Sequence, residues 1–95
     1  MATVLYGDFE WDDAKAAANL AKHGVTFEEA AHALATDATA LDLSDLVDPR
    51  RIDTLAMSAA GPILYVVSIE VAPRLRIISA RRATSHERRI YAEGT

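Results

Sequence analysis

A chain of 95 residues, half of them apolar, a quarter charged and none cysteine, is long enough for one two-layer core and excludes disulfide bridges and thiolate metal sites. Its formal net charge of −4 is an unusual endowment for a protein that grips a polyanion unaided, because phosphate neutralisation supplies much of such affinity. The start, MATVLYGDFEWDD, has no basic stretch followed by an apolar run, and the longest apolar run, PILYVVSI, is too short to cross a membrane as a helix; a single cytoplasmic domain over residues 1–95 is expected.

In chain order, TVLYGDF (residues 3–9) reads as one short strand interrupted at Gly7. Asp12 or Asp13 caps a first helix, DDAKAAANLAKHG, whose alanines favour that state. Gly24 suits the left-handed position that ends it, with Leu20 and Val25 as the contact pair of a Schellman motif. Thr26 and Glu29 have the spacing of a capping box, which starts a second helix from Phe27 to Ala35. TALDL alternates as a strand with Leu41 and Leu43 on one face, SDLVDP is a loop, RIDTLAMS is a strand and AAGP a turn. ILYVVSI is the continuous apolar run of a strand buried on both faces. VAP turns again and RLRIISA is the next strand, which makes an antiparallel meander. Thr84 and Glu87 repeat the capping box for a last helix from Ser85 to Glu93, ended at Gly94. The order is a strand, two helices, a mainly antiparallel sheet of about four strands and a short helix, an α+β two-layer fold.

Charge is unevenly spread along this frame. Residues 1–48 carry ten acids against Lys15 and Lys22, whereas residues 49–95 carry eight arginines against Asp53, Glu70, Glu87 and Glu93. Strand alternation puts Leu75, Ile77, Ser79 and Arg81 on one face of the RLRIISARR segment and Arg74, Arg76, Ile78, Ala80 and Arg82 on the other. Arginine forks match phosphate oxygens and keep their charge, so this is a candidate anion site unless the acids of the first half neutralise it. On the first helix Lys15, Asn19 and Lys22 share a face with His23 beside them. That stripe suits a phosphodiester, or is the solvated side of an amphipathic helix. Tyr91 is either a packing residue or a stacking and proton-donating one, and Trp11 a core anchor. His23, His32 and His86 lack metal-ligand spacing, and no Gly-rich phosphate loop or nucleophile elbow is present. No metal or cofactor is therefore expected.

Two long signatures sharpen the reading. FEWDDAKAAANLAKHGVTFEEA resembles the N-terminal pattern of the BrnT toxin family, F-x-W-D-x-x-K-x-x-x-N-x-x-K-H-G-V-x-F-x-E-A. It falls on Phe9, Trp11, Asp12, Lys15, Asn19, Lys22, His23, Gly24, Val25, Phe27, Glu29 and Ala30. RIISARRATSHERRIY, Arg76 through Tyr91, is similar to the C-terminal pattern R-I-I-S-A-R-x-A-T-x-x-E-R-x-x-Y. The resemblance implies a RelE-like endoribonuclease toxin of a type II toxin–antitoxin system, which cuts RNA, in some cases on the ribosome, and inhibits translation. It also implies an antitoxin with a ribbon-helix-helix DNA-binding part, a 2:2 complex, and operator DNA reached through the antitoxin. RRIDTLAMS departs from the pattern E-R-x-x-x-I-G-R-S: it keeps Arg51 but has Arg50, Ala56 and Met57 in place of the acid, the glycine and the second arginine.

RNA carries its own nucleophile, so orienting the 2′-hydroxyl and stabilising developing charge cleaves it without a metal and leaves a 2′,3′-cyclic phosphate. The expected catalytic residues are His23 as general acid or base, Arg51 and Arg81 as phosphate clamps, and Tyr91 as proton donor or stacking surface. Lys15, Lys22 and Arg82 are expected to bind substrate, with Trp11, Asn19 and Glu87 supporting them. The alternative is a catalytically weak binding module that acts with the antitoxin as a co-repressor.

Overall fold

The computed structural model describes residues 2–43 and 49–94; the loop expected at SDLVDP lies largely outside them. In chain order the elements are β1 (Thr3–Tyr6), β2 (Phe9–Asp12), α1 (Asp13–His23), α2 (Phe27–Thr36), β3 (Leu41–Asp42), β4 (Arg51–Met57), β5 (Ile63–Val71), β6 (Arg74–Arg82) and α3 (Ser85–Glu93). The expected α+β class holds. Among the described residues the strands form one six-stranded sheet in the order β1-β2-β6-β5-β4-β3, with the β4-β5-β6 meander antiparallel as expected.

The strand count differs at the N-terminus. Gly7, with φ 58°, is the first of two residues between the paired Tyr6 and Phe9, a combination that type II′ hairpin turns use. The expected single strand is thus a hairpin. Its second arm runs parallel to β6 through Phe9 opposite Leu75 and Glu10 opposite Arg76, which joins the N-terminal segment to the main sheet.

Local capping chemistry positions the helices. The Asp12 carboxylate accepts from the Lys15 N–H at 3.0 Å, and Gly24 closes α1 in the left-handed region by donating to the Leu20 carbonyl at 2.9 Å. This single bond is the simpler αL ending. Val25 is drawn into the core while Leu20 remains 47% exposed. Thr26 caps α2, but the Glu29 carboxylate reaches the Ser58 hydroxyl at 2.7 Å instead of completing the capping box. Thr84 and Glu87 form both halves of theirs.

α1 and α2 cover one face of the sheet. Phe9, Trp11, Val25, Phe27, Leu64, Val66, Ile77 and Ala80 are buried there. Trp11 is 2% exposed and stands edge-on to Phe27 with ring centroids 5.8 Å apart. On the opposite face Leu55, Ala83 and Tyr91 form a smaller cluster where α3 lies.

A bulge in β6 reverses the expected alternation. Val67 is opposite Ser79 and Ser68 opposite Ile77, so Ile78 is the extra residue. Ile77 and Ala80 both enter the helix-covered core, which three-residue spacing forbids in a regular strand. Arg81 consequently leaves the face of Ile77 and joins that of Arg74 and Arg76: the β5 partners of Arg76 and Arg81 are Ile69 and Tyr65, four residues apart and on one side. Beyond Arg76, β2 no longer follows β6. The Asn19 carboxamide takes its place, accepting from the Ala80 N–H at 3.1 Å and donating to the Ala80 carbonyl at 2.7 Å and the Val25 carbonyl at 3.0 Å.

Asp37, at the end of α2, ties three elements together. Its oxygens accept from the Met57 N–H, the Thr39 N–H and hydroxyl, and the Tyr91 hydroxyl at 2.7–2.9 Å. Burial pulls its carboxyl upward, but these hydrogen bonds outweigh it and hold the pKa at about 2. A lowered carboxyl contributes stability above the unfolded-state pKa and loses it as pH falls. Unfolding midpoints are therefore expected to be level above pH 5 and to drop between pH 4 and 2. In Asp37→Asn the drop is smaller and the neutral-pH stability lower by about 1–2 kcal/mol; denaturant melts across this range check both.

Candidate active site

Among the described residues, the sheet face away from α1 and α2 is covered by α3 at one end, and beside that helix a polar row crosses three strands. On β4 the Arg51 guanidinium donates to Asp53 through Nε at 2.7 Å and Nη2 at 3.1 Å. On β5 the Tyr65 hydroxyl donates to the same carboxylate. On β6 Arg81 lies over the Tyr65 ring, its guanidinium carbon 4.4 Å from the centroid. Arg81 then donates through both terminal nitrogens to Glu87 at 2.8 and 2.9 Å, and Glu87 accepts from the Thr84 N–H as part of the α3 cap. The row is Arg51, Asp53, Tyr65, Arg81, Glu87, with the two arginine side chains 44% and 37% exposed and the two carboxylates nearly covered.

The electrostatics are those of a fixed array. Arg81 holds the Glu87 carboxyl at about 2, and Glu87 raises Arg81 in return. Asp53 is lowered, chiefly by its hydrogen bond from Arg51. Tyr65 is raised, chiefly because it donates to Asp53, so its hydroxyl keeps its proton at neutral pH. The exposed guanidinium edges are aimed by buried acids. Such a surface holds a phosphate and stabilises negative charge that grows on it.

Arg51, Arg81 and Glu87 are brought together, and Glu87 holds Arg81. Arg82 is exposed and, one residue on, faces the other side of the sheet. Tyr91 does not join the row. It is 7% exposed, packed with Leu55 and Ala83, and its hydroxyl sits 2.7 Å from both Asp37 and Thr39. Those bonds fasten α3 to the segment after α2 and leave no surface for a base to stack on. The Thr39 bond lowers its pKa, but Asp37 and burial together raise it. Lys15, Lys22 and His23 line a separate depression against Asn19, Ile78 and Ser79. Trp11 and Asn19 are buried among the residues that seat α1.

Two members of the row escaped sequence reasoning. Tyr65 was hidden inside an apolar run read as buried on both faces, although it is the single aromatic residue there. Asp53 carried a usable signal, since it is two residues from Arg51 on the same strand face. Among the described residues no group of three or more His, Cys, Asp or Glu side chains is placed to hold a metal ion.

Comparison with known proteins agrees with this architecture. A family model described as the ribonuclease toxin BrnT of type II toxin–antitoxin systems matches residues 11–87. The 1.1 Å crystal structure of the Brucella abortus ribonuclease toxin BrnT is similar, with a TM-score of 0.64 and 26% identity over 79% of this chain and 94% of that one. No protein with a curated description matches the sequence. The matched span runs from the second half of β2 to the first turn of α3 and contains every member of the arginine row: this chain belongs to the BrnT family of ribonuclease toxins of type II toxin–antitoxin systems.

Proposed function

We propose that the chain is a metal-independent endoribonuclease whose reaction centre is the Arg51–Asp53–Tyr65–Arg81–Glu87 row, and that it blocks translation by cutting RNA. The observation that carries the reading is the bidentate Glu87–Arg81 pair stacked on Tyr65, which presents a guanidinium in one orientation on an exposed face. Arg81 and Arg51 hold the scissile phosphate, the RNA's own 2′-hydroxyl attacks it in line and gives its proton to solvent water, the P–O5′ bond breaks and the 5′-oxygen takes a proton from water, and the two cations stabilise the charge that accumulates on the phosphorane. Tyr65 remains protonated and serves as the platform for Arg81. Asp53 and Glu87, with lowered pKa values, are weak bases near neutrality and act by aiming the arginines. A 2′,3′-cyclic phosphate and a 5′-hydroxyl are the products.

As a type II toxin the chain has a protein antitoxin as partner. In this reading the antitoxin carries a ribbon-helix-helix part, the complex is 2:2, operator DNA is contacted through the antitoxin, and the RNA target places the activity in the cytoplasm. Inducing the chain without its antitoxin is expected to arrest growth, and inducing the Arg81→Ala variant is not. Equal arrest by both removes the row from the mechanism.

A second reading, a weakened toxin retained as co-repressor, is favoured by two observations. The acids of the row balance its arginines, and position 57, where the family pattern the chain resembles has a further arginine, is Met57. Met57 is 43% exposed, and alternation places it on the face of Arg51 and Asp53. Restoring the cation in Met57→Arg is expected to tighten single-stranded RNA binding about threefold to tenfold, as one more phosphate contact would. Titration at fixed salt checks this. A neutral result shows that position 57 lies off the RNA path.

A further inference from the structure

We propose that the depression between α1 and the free edge of β6 is a second phosphate-binding subsite, which takes the RNA backbone next to the phosphate held by the arginine row. The proposal rests on the ribonuclease reading for the identity of the ligand, but the subsite has its own residues. Lys15, Lys22 and His23 line it from α1, and Ile78 and Ser79 line it from β6.

Three observations converge on it. First, the cations of the two regions differ in their partners. On the sheet Arg51, Arg76 and Arg81 each meet a carboxylate, from Asp53, Glu10 and Glu87. Lys15 and Lys22 meet none among the described residues, and Asp12 and Asp13, which open the helix, accept from the backbone N–H groups of Lys15 and Ala2. An acidic protein thus keeps uncompensated positive charge in a concave place, which is the arrangement that attracts a polyanion. Second, the pocket exists because of a specific fold device. The bulge at Ile78 and the departure of β2 leave β6 with an open edge, and Asn19 satisfies the backbone there while lining the pocket floor. Any ligand here meets the Lys15 and Lys22 side chains, with the Ala80 backbone groups already paired by Asn19.

Third, the two regions share a strand. Ser79 is a wall of the pocket and stands two residues from Arg81 on the same side of β6, opposite Val67 as Arg81 is opposite Tyr65. Two strand residues span about 6.6 Å, close to one step between adjacent phosphates of an extended single strand. α1 lies on the other face of the sheet, so an RNA strand lying across Arg81 rounds the open β6 edge at Ser79 to bring a further phosphate to Lys15 and Lys22. RNA is the occupant chosen because it continues the charge requirement of the row at that spacing; an acidic antitoxin segment is the competing occupant.

The experiment uses the full chain with Lys15 and Lys22 both changed to Gln. Both side chains are exposed, so folding is expected to be intact, and circular dichroism confirms it. Binding of a fluorescein-labelled hexaribonucleotide is followed by anisotropy from 50 to 200 mM salt, alongside cleavage of the hexanucleotide and of a dinucleotide. The expected result is about tenfold weaker hexanucleotide binding at low salt and a log–log salt slope reduced by about 1.4, from ~0.7 per lost contact. Dinucleotide turnover and hexanucleotide kcat stay unchanged while hexanucleotide KM rises. Hexanucleotide binding with an unaltered salt slope, or an equal loss on the dinucleotide, overturns the subsite, as does unchanged RNA binding with weakened antitoxin binding. If wild type binds RNA with the lysine-dependent slope yet cleaves nothing, the subsite stands and the ribonuclease reading fails.

Discussion

Arg81→Ala is expected to lower kcat for RNA cleavage about 10²–10³-fold, the loss seen when one preorganised charge-stabilising donor is removed from a reaction centre. The size follows from how the side chain is held. Glu87 grips both terminal nitrogens, Tyr65 supports the guanidinium plane, and Glu87 is itself anchored by the α3 cap. The guanidinium therefore needs no reorganisation when charge develops. Arg81→Lys is expected to recover little, because a point charge on a flexible stem neither stacks flat on Tyr65 nor makes the paired contact with Glu87. Single-turnover rates at saturating RNA isolate the step. A fall in kcat/KM with kcat preserved would assign Arg81 to uniform binding instead.

Asn19→Ala is expected to cost about 3 kcal/mol or more, because three backbone groups lose their partner and each orphaned one costs ~1–3 kcal/mol. The carboxamide is buried and spans β6 and the turn after α1. For a domain of this size the melting temperature falls by roughly 12–24 °C. Asn19→Asp is the informative partner: it keeps an acceptor for the Ala80 N–H but turns a carboxylate toward the Ala80 and Val25 carbonyls, so it is expected to be no better than alanine. Calorimetry of the three proteins checks the order. A drop of less than about 1 kcal/mol for both, below the cost of one unsatisfied buried group, would mean that water replaces the carboxamide along the β6 edge.

What was legible in the sequence was mostly local. Caps at Asp12, Thr26 and Thr84, the left-handed Gly24 and the meander of β4, β5 and β6 appear where residue chemistry placed them. The errors came from non-local geometry. In sequence Gly7 looks like an interruption because a hairpin needs a partner strand to become visible, and the parallel pairing of β2 with β6 joins residues more than sixty positions apart. The β6 bulge has no compositional signature in RLRIISARR, yet it decides the side on which Arg81 stands. The motif supplied Arg51, Arg81 and Glu87 as candidates. Alternation past Ile78 misplaced Arg81, and hydrophobicity hid Tyr65. Tyr91, at the end of its signature, is a packing residue whose hydroxyl fastens α3.

In the proposed mechanism the arginine row reacts and the α1 depression grips the RNA. Both depend on β6, whose bulge aims Arg81 to one side while Asn19 closes the edge beside Ser79.

The most direct measurement of the central claim is the chemistry of the cut ends. Purified chain, freed of antitoxin and held in EDTA, is incubated with a 5′-labelled single-stranded RNA, and the products are resolved by mass. The expected products are 5′ fragments ending in a 2′,3′-cyclic phosphate, formed by wild type and lost with Arg81→Ala. Intact RNA from the folded wild-type chain, or fragments ending in a 3′-hydroxyl, would contradict that claim.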